Sequence, residues 1–179
     1  MNRMILPIVA MAALVVLSNY TVQYPINDWL TWGALTYPVT FLVTDLTNRA
    51  LGPARARVVV LVGFVLAVLL SIWLATPRIA LASGSAFLVA QLLDVAVFNR
   101  FRRTGQWWAA PLAGSVIGSV LDTGLFFSIA FQGTDVPWVT LALGDLVVKG
   151  AMALLLLAPY GWALPHLVPF ERRGEVSPG

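Results

Sequence analysis

The sequence predicts an all-α integral membrane protein, a bundle of six transmembrane helices forming a single domain over residues 1–179, with both termini in the cytoplasm. Three observations predict this class. The chain is 59% hydrophobic and only 11% charged, whereas soluble domains carry about 25% charged residues. Six apolar stretches alternate with short polar breaks. The arginines concentrate in alternate breaks, as positive-inside topology requires.

The six apolar stretches are each close to the ~20 residues that a helix needs to cross a bilayer. They cover residues 4–22, 32–50, 57–76, 79–99, 108–131 and 138–159. Turn residues such as Gly52-Pro53 and Thr76-Pro77 separate them, and no break is long enough for a second domain. The first stretch has the length of a signal-peptide core, but it lacks a clear small-residue cleavage site, so we predict that it is the first span.

The basic residues give the orientation. With the N-terminus inside, nine of the eleven fall on the cytoplasmic side, Arg78 falls outside and Lys149 lies within a span. The nine are Arg3, Arg49, Arg55, Arg57, Arg100, Arg102, Arg103, Arg172 and Arg173.

Several function classes are excluded by composition. The chain has no cysteine and a single histidine, His166, so thiolate metal sites and chemistry based on Cys or His are not expected. There is no glycine-rich phosphate loop, and no nucleophile-base set is visible. The basic residues lie in short connections, which reflects topology and not nucleic-acid binding. We therefore expect no enzyme, no cofactor, no metal and no nucleic-acid partner.

Five ionisable residues lie inside the predicted spans, namely Asp45, Asp94, Asp122, Asp145 and Lys149. A charge at the bilayer centre costs roughly 2.5–3.5 kcal/mol even on the mildest scale, so such residues normally face a bundle interior or a wet cavity. They are the first candidates for a substrate site.

Two spans carry aromatic and polar residues at helical spacing, which places them on one face. The second span has Tyr37, Phe41, Asp45 and Asn48, and the fourth has Phe87, Gln91, Asp94 and Phe98. Rings beside carboxylates and amides suit a flat heterocycle that stacks and hydrogen-bonds through its edge. The alternative is structural, because Asp45 and Asp94 are each about one turn from an arginine, Arg49 and Arg100, and could pair there.

Asp122 lies in the middle of the fifth span without a basic neighbour on its own helix, so it needs a partner from elsewhere. Gly114 and Gly118 precede it at four-residue spacing, which allows close helix approach and also offers a face for a homodimer. On the sixth span, Asp145 and Lys149 are spaced to form an ion pair, and Lys149 is equally suited to Asp122.

At the end of the first span, Asn19 and Gln23 are spaced i, i+4 at the predicted outer boundary. Asn19 is a candidate contact for a polar solute, although amides are common at membrane interfaces.

Several strings resemble the queuosine precursor transporter family, small bacterial membrane proteins, in an order that runs through nearly all the spans. They are Ser18-Asn19-Tyr20-Thr21-Val22-Gln23, Phe41-Leu42-Val43-Thr44-Asp45-Leu46-Thr47, Gln91-Leu92-Leu93-Asp94-Val95, Trp107-Trp108-Ala109-Ala110-Pro111, Asp122-Thr123, Phe126-Phe127 and Asp145 with Lys149. The chain departs from the family pattern in a short connection at Ala75-Thr76-Pro77, which affects the outer entrance.

The resemblance implies import of 7-deazaguanine bases, the nitrile preQ0 or the aminomethyl preQ1, for tRNA queuosine modification, across the bacterial inner membrane. It also adds Phe126 to the candidate substrate-binding residues. A carboxylate can accept the parallel N–H donors of a guanine-type edge, and a second one suits the cationic arm of preQ1. The expected mechanism is a secondary carrier or facilitator. The alternative is a substrate-binding membrane subunit of an ATP-energised vitamin-type uptake complex.

Overall fold

The computed structural model describes residues 3–21, 24–27, 29–74, 76–103 and 105–170, without the side chains of Asn19 and a few others in regular elements. The elements, in chain order, are α1 (Ile5–Thr21), β1 (Pro25–Asn27), β2 (Leu30–Thr31), α2 (Trp32–Thr36), α3 (Val39–Leu51), α4 (Pro53–Leu74), α5 (Pro77–Phe101), α6 (Ala109–Phe131), α7 (Trp138–Leu155), α8 (Leu157–Ala163) and a 3₁₀ turn (Leu164–His166).

The all-α prediction is confirmed, since the two short strands form only a small antiparallel hairpin before α2. Each of the six predicted apolar stretches is helical. Among the described residues, three helical stretches are both long and apolar enough to cross a membrane, namely Pro77–Phe101, Ala109–Phe131 and Trp138–His166. The chain is thus a helical protein with three candidate membrane-spanning helices among its described residues.

Two of the predicted stretches are not single helices. The second breaks between Thr36 and Val39 because Pro38 has no amide hydrogen to donate and disfavours helical geometry at Tyr37. The sixth breaks at Leu156. Pro159 explains this break, because it cannot donate to a carbonyl four residues earlier. Tyr37 consequently lies in the turn before α3 and not within the helix.

Burial is inverted relative to a soluble protein. Large apolar side chains such as Leu6, Trp73 and Val147 are among the most exposed. Polar side chains are among the most buried, as in Ser18, Thr40, Thr44, Asp45, Thr47, Asn48, Gln91, Asp94, Ser115, Ser119, Asp122, Thr123 and Lys149. An apolar exterior around a polar interior is the arrangement expected of a bundle in lipid.

Two apolar clusters flank the polar interior. One joins α1, α4 and α5 and contains Met11, Val15, Ala56, Val59, Val60, Ala67, Phe87 and Val95. The smaller one joins α5, α6 and α8 through Phe98, Ala110 and Tyr160. The polar side chains of α3 lie between these clusters.

Helix α6 approaches its neighbours closely through glycines. A Cβ atom at Gly118 would lie 2.7 Å from Cε1 of Phe41 and 3.3 Å from the carbonyl oxygen of Ala90. Gly114 faces Asp94 on α5 in the same way. The predicted close approach is therefore made within the chain, and both glycines are covered by α3 and α5. This face is not free to pack against a second copy.

Candidate functional site

The polar interior divides into separate groups along the bundle. The first, called the lysine cluster, consists of Tyr37, Asp122, Thr123, Asp145 and Lys149. The second, called the aspartate pair, consists of Asp45 on α3 and Asp94 on α5. A neutral hydrogen-bonded group centred on Gln91 involves the same two helices as the aspartate pair.

The lysine cluster joins the turn before α3 to α6 and α7. The Lys149 Nζ donates to Asp122 Oδ2 at 2.7 Å and lies 2.5 Å from Asp145 Oδ2. The Tyr37 hydroxyl donates to Asp122 Oδ1 at 2.6 Å. Thr123 links the cluster by accepting from Lys149 at 3.1 Å and donating to Asp145 at 2.7 Å. Both ion pairs considered for Lys149 from the sequence are therefore formed at once.

Burial makes these contacts mutually dependent. The side chains of Lys149 and Asp122 are 5% and 7% exposed, and that of Asp145 is 15% exposed. Lys149 also lies 5.2 Å from the centre of the Tyr37 ring, within cation–π range. One cation thus compensates two carboxylates, and hydroxyl donors complete the coordination. Removing Lys149 would leave two buried carboxylates without a cation.

Gln91 is satisfied by two threonines of α3. Its Nε2 donates to Thr40 Oγ1 at 2.8 Å, and its Oε1 accepts from Thr44 Oγ1 at 2.6 Å. All three residues are fully buried. In this conformation the amide is engaged in helix packing and points its hydrogen-bonding atoms at α3.

The aspartate pair has the opposite character. Asp45 is 2% exposed and Asp94 is fully buried, and both face one segment of α6, because Asp94 lies against Gly114 and Asp45 lines a cleft with Pro111 and Ser115. Asp45 Oδ1 and both carboxylate oxygens of Asp94 have no hydrogen-bond partner. A Cβ atom at Gly114 would overlap Asp94 Oδ1, so only a glycine hydrogen separates α6 from this carboxylate. Unpartnered buried carboxylates are costly and point to a missing ligand or proton.

The arginine alternative for these two carboxylates is not formed. Across the described ranges, the ion pairs that Asp45 or Asp94 would make with Arg49 or Arg100 are absent. Asn48 is instead the residue of α3 that meets an arginine, because its Oδ1 accepts from Arg102 at 3.2 Å. Its amide donates to the carbonyl oxygen of Val95, which ties α3 to α5.

Asp45 lines a cleft between α3, α6 and the α7–α8 break. The other lining residues are Leu42, Pro111, Ser115, Ala153, Leu156, Leu157 and Tyr160. In this conformation the cleft is nearly closed, with room for about one water molecule, and is far smaller than the ~300 Å³ of small ligand pockets. It combines an apolar wall with a carboxylate, a serine and a tyrosine.

The predicted aromatic residues take two different positions. Phe41 and Phe87 both make edge-to-face contacts with Tyr37, at ring-centre distances of 6.1 and 6.3 Å, and both are buried. Phe126 makes its ring contacts with Phe127 and Phe131 of its own helix. The side chain of Asn19 lies outside what the structure describes.

Several residues of these groups escaped prediction. Thr40, Thr44 and Thr123 complete the hydrogen-bond networks, and Ser115 and Tyr160 line the cleft. The i, i+4 spacing of Thr40 and Thr44 beside the predicted stripe was the available signal. Tyr160 had none, because its position depends on the break that separates α8 from α7.

Comparison with known proteins places this arrangement in a family. Residues 31–76 and 70–163 match the family model described as "Putative vitamin uptake transporter". The "Probable queuosine precursor transporter" of Haemophilus influenzae is 38% identical over 82% of this chain and 80% of its own length. The chain belongs to the queuosine precursor transporter family. The resemblance drawn from the residue strings is thereby confirmed.

Two further relatives agree in name and extent. The Escherichia coli K12 "Queuosine precursor transporter" is 37% identical over 84% of this chain and 81% of its own length. The Bacillus subtilis "Probable queuosine precursor transporter" is 29% identical over 81% and 76%. No solved structure matches the chain. The match covers both the lysine cluster and the aspartate pair, since residues 31–163 contain every member of each.

Proposed function

We propose that this protein imports queuosine precursors, the 7-deazaguanine bases preQ0 and preQ1, across the bacterial inner membrane as a secondary carrier or facilitator. The names of its relatives support the substrate class. The observation that carries the site is Asp45, a buried carboxylate with an unpartnered oxygen at the wall of a cleft.

The chemistry of the cleft fits the base. A guanine-type edge presents parallel N–H donors, which one carboxylate accepts in bidentate fashion. The Ser115 and Tyr160 side chains line the same cleft and supply further polar groups, while Leu42 and Leu157 offer an apolar wall for the flat ring. Asp45 therefore contacts the substrate edge in this proposal. Asp94 does not line the cleft.

Substrate binding requires the cleft to widen. Its empty space is smaller than typical ligand pockets, and the wall opposite α3 contains the α7–α8 break at Leu156. Helix breaks are positions where a segment can pivot with little loss of hydrogen bonding. Movement of α8 away from α3 would enlarge the cleft and expose Asp45.

We further propose six spans with both termini in the cytoplasm. The positive-inside distribution supports this orientation, as does the helical character of all six apolar stretches. The cleft then lies in the cytoplasmic half of the bilayer. It is lined by Pro111 in the first turn of α6, and α6 follows a connection whose arginines are assigned to the cytoplasm. A homodimer, if formed, would use a face other than that of Gly114 and Gly118, which are covered within the chain.

Uptake by the purified protein tests the function. Labelled preQ0 and preQ1 are presented to liposomes containing wild-type protein, Asp45→Asn, or the matched control Asp135→Asn, which alters an exposed loop carboxylate. We expect saturable uptake by wild type and control, and a loss of tenfold or more in Asp45→Asn. Uptake that required added ATPase subunits would contradict the carrier mechanism. Equal uptake by Asp45→Asn and wild type would remove Asp45 from the site.

A further inference from the structure

We propose that the aspartate pair binds a proton that is carried inward with the substrate, which makes the protein a proton symporter. This inference rests on the proposed function and adds its energy source. The observation behind it is that three carboxylate oxygens, Asp45 Oδ1 and both of Asp94, are buried without any hydrogen-bond partner. Asp45 connects the pair to the cleft.

Asp45 and Asp94 face the same segment of α6, at Pro111–Ser115, and two buried carboxylates so placed cannot both remain charged without compensation. Like charges in a low-dielectric interior repel strongly, and a shared proton turns this repulsion into a hydrogen bond between an acid and a carboxylate. The pair offers three orphan carboxylate oxygens, whereas Ca²⁺ takes about 6–8 oxygen ligands. Within the described residues no group of three or more acidic or histidine side chains could hold a metal ion.

The neighbouring charged residues do not compensate the negative charge of the aspartate pair. Lys149 on α7 is committed to Asp122 and Asp145. On α3, Arg49 is one turn beyond Asp45, but its guanidinium does not reach ion-pairing distance of either member of the pair in the described part of the chain.

Among the described residues of the other elements packed around the pair, no cation forms an ion pair with it. Ser115 of α6 and Tyr160 of α8 line the cleft, and Arg102 donates to Asn48 and Asn99. The basic residues of α4, Arg55 and Arg57, are exposed. On α5, Gln91 is satisfied by threonines, and Arg100 is exposed.

Proton binding is coupled to closure of the bundle because burying the unprotonated aspartate pair costs free energy. When the cleft faces outward, the pair takes a proton from water and accepts the substrate. With one proton the pair carries a single negative charge, so the bundle can close around it. When the cleft opens inward, the carboxylic acid releases the proton to cytoplasmic water and forms a carboxylate and a hydronium ion. Closure without the proton would bury two negative charges and is disfavoured.

The experiment uses preQ0, because its nitrile arm carries no charge, and liposomes whose membrane potential is clamped. Uptake is measured with an inward proton gradient, an inward sodium gradient, or neither, while a dye reports the internal pH. For wild type we expect the proton gradient alone to raise accumulation several-fold, with internal acidification that depends on the substrate. The Asp135→Asn control should respond as wild type does.

Asp94→Asn is a permanently neutral replacement of nearly the same shape. Its uptake is compared with its exchange of labelled for unlabelled substrate, which needs no gradient. We expect that the proton gradient no longer raises uptake relative to exchange, as it does in wild type. If this variant fails to fold, substrate-dependent acidification by the wild type decides the question alone.

The possible failures are distinguishable. If wild type exchanges substrate but its uptake does not respond to the proton gradient, proton symport is wrong and the proposed function still stands. The same conclusion follows if the sodium gradient stimulates uptake instead. Absence of any exchange would overturn the proposed function and the coupling with it.

Discussion

The lysine cluster and the aspartate pair each bury two carboxylates, yet only the first contains a cation. In the lysine cluster, Lys149 lies within 2.7 Å of both Asp122 and Asp145, and hydroxyl groups donate to Asp122 Oδ1 and Asp145 Oδ2. In the aspartate pair, three oxygens have no partner. The difference separates a group that is complete within the chain from one that requires something from outside it.

The comparison assigns opposite mutational behaviour to the two groups. A completed ion network loses stability when one member is removed, because the others remain buried without compensation. In the aspartate pair the wild-type fold already buries carboxylates without partners. Neutralising one of them should therefore affect ligand binding more than stability. Stability and transport measurements should therefore sort the five ionisable residues into two classes.

Lys149→Met should have the largest effect on stability. The change leaves Asp122 and Asp145 buried without a cation, and such a loss typically costs about 3–5 kcal/mol. We expect a lower unfolding midpoint in detergent, measured by tryptophan fluorescence during denaturation. The triple variant Lys149→Met, Asp122→Asn, Asp145→Asn is the control and should recover much of the loss. An unchanged midpoint for Lys149→Met alone would contradict the structural role of the cluster.

Gly114→Ala should have the next largest effect, at the contact between α6 and the aspartate pair. A Cβ atom there would overlap Asp94 Oδ1, and overpacking of this kind costs about 1–3 kcal/mol. Gly124→Ala on the same helix is the matched control, because its Cβ would meet nothing within 4 Å. We expect the control to be neutral or slightly stabilising. Equal unfolding midpoints for the two variants would show that α6 does not press on Asp94.

Tyr37→Phe should have a smaller effect on the lysine cluster. It removes a single hydrogen bond of 2.6 Å to Asp122 and keeps the ring beside Phe41 and Phe87. Hydrogen bonds between membrane helices are worth roughly 1 kcal/mol. The control is Tyr24→Phe, which removes the bond between two exposed hydroxyl groups. If both variants unfold at the wild-type midpoint, the Tyr37 hydroxyl is not needed to satisfy Asp122.

The sequence indicated which polar residues are buried more readily than how they pair. Charged residues inside apolar stretches have few alternatives to the bundle interior, and Asp45, Asp94, Asp122 and Lys149 are all buried. The spacing of Asp145 and Lys149 was enough to predict their ion pair. The simultaneous pairing with Asp122 depends on how α6 and α7 are rotated toward each other, which no local pattern specifies.

Neutral partners were missed for a related reason. Threonine is common in membrane helices and can satisfy its own hydroxyl group by bonding to a carbonyl one turn earlier, as Thr44 does with Thr40. The same hydroxyl hydrogen is shared with Gln91 Oε1, and this shorter contact exists only because α3 and α5 pack with these faces together. The break at Pro38 was visible in the sequence, but its consequence, the placement of Tyr37 beside Asp122, is tertiary.

Asp94→Asn should have the smallest effect on stability, and Asp122→Asn is the variant to compare with it. The two variants make the same chemical substitution at two buried carboxylates. Asp122 accepts from Tyr37 and Lys149, so its neutralisation weakens an ion pair and should lower the unfolding midpoint. Neither oxygen of Asp94 has a partner to lose, so Asp94→Asn should remain within about 1 kcal/mol of wild type. A loss of equal size in both variants would mean that the folded protein supports Asp94 with contacts of the same strength, and the distinction between the two groups would fail.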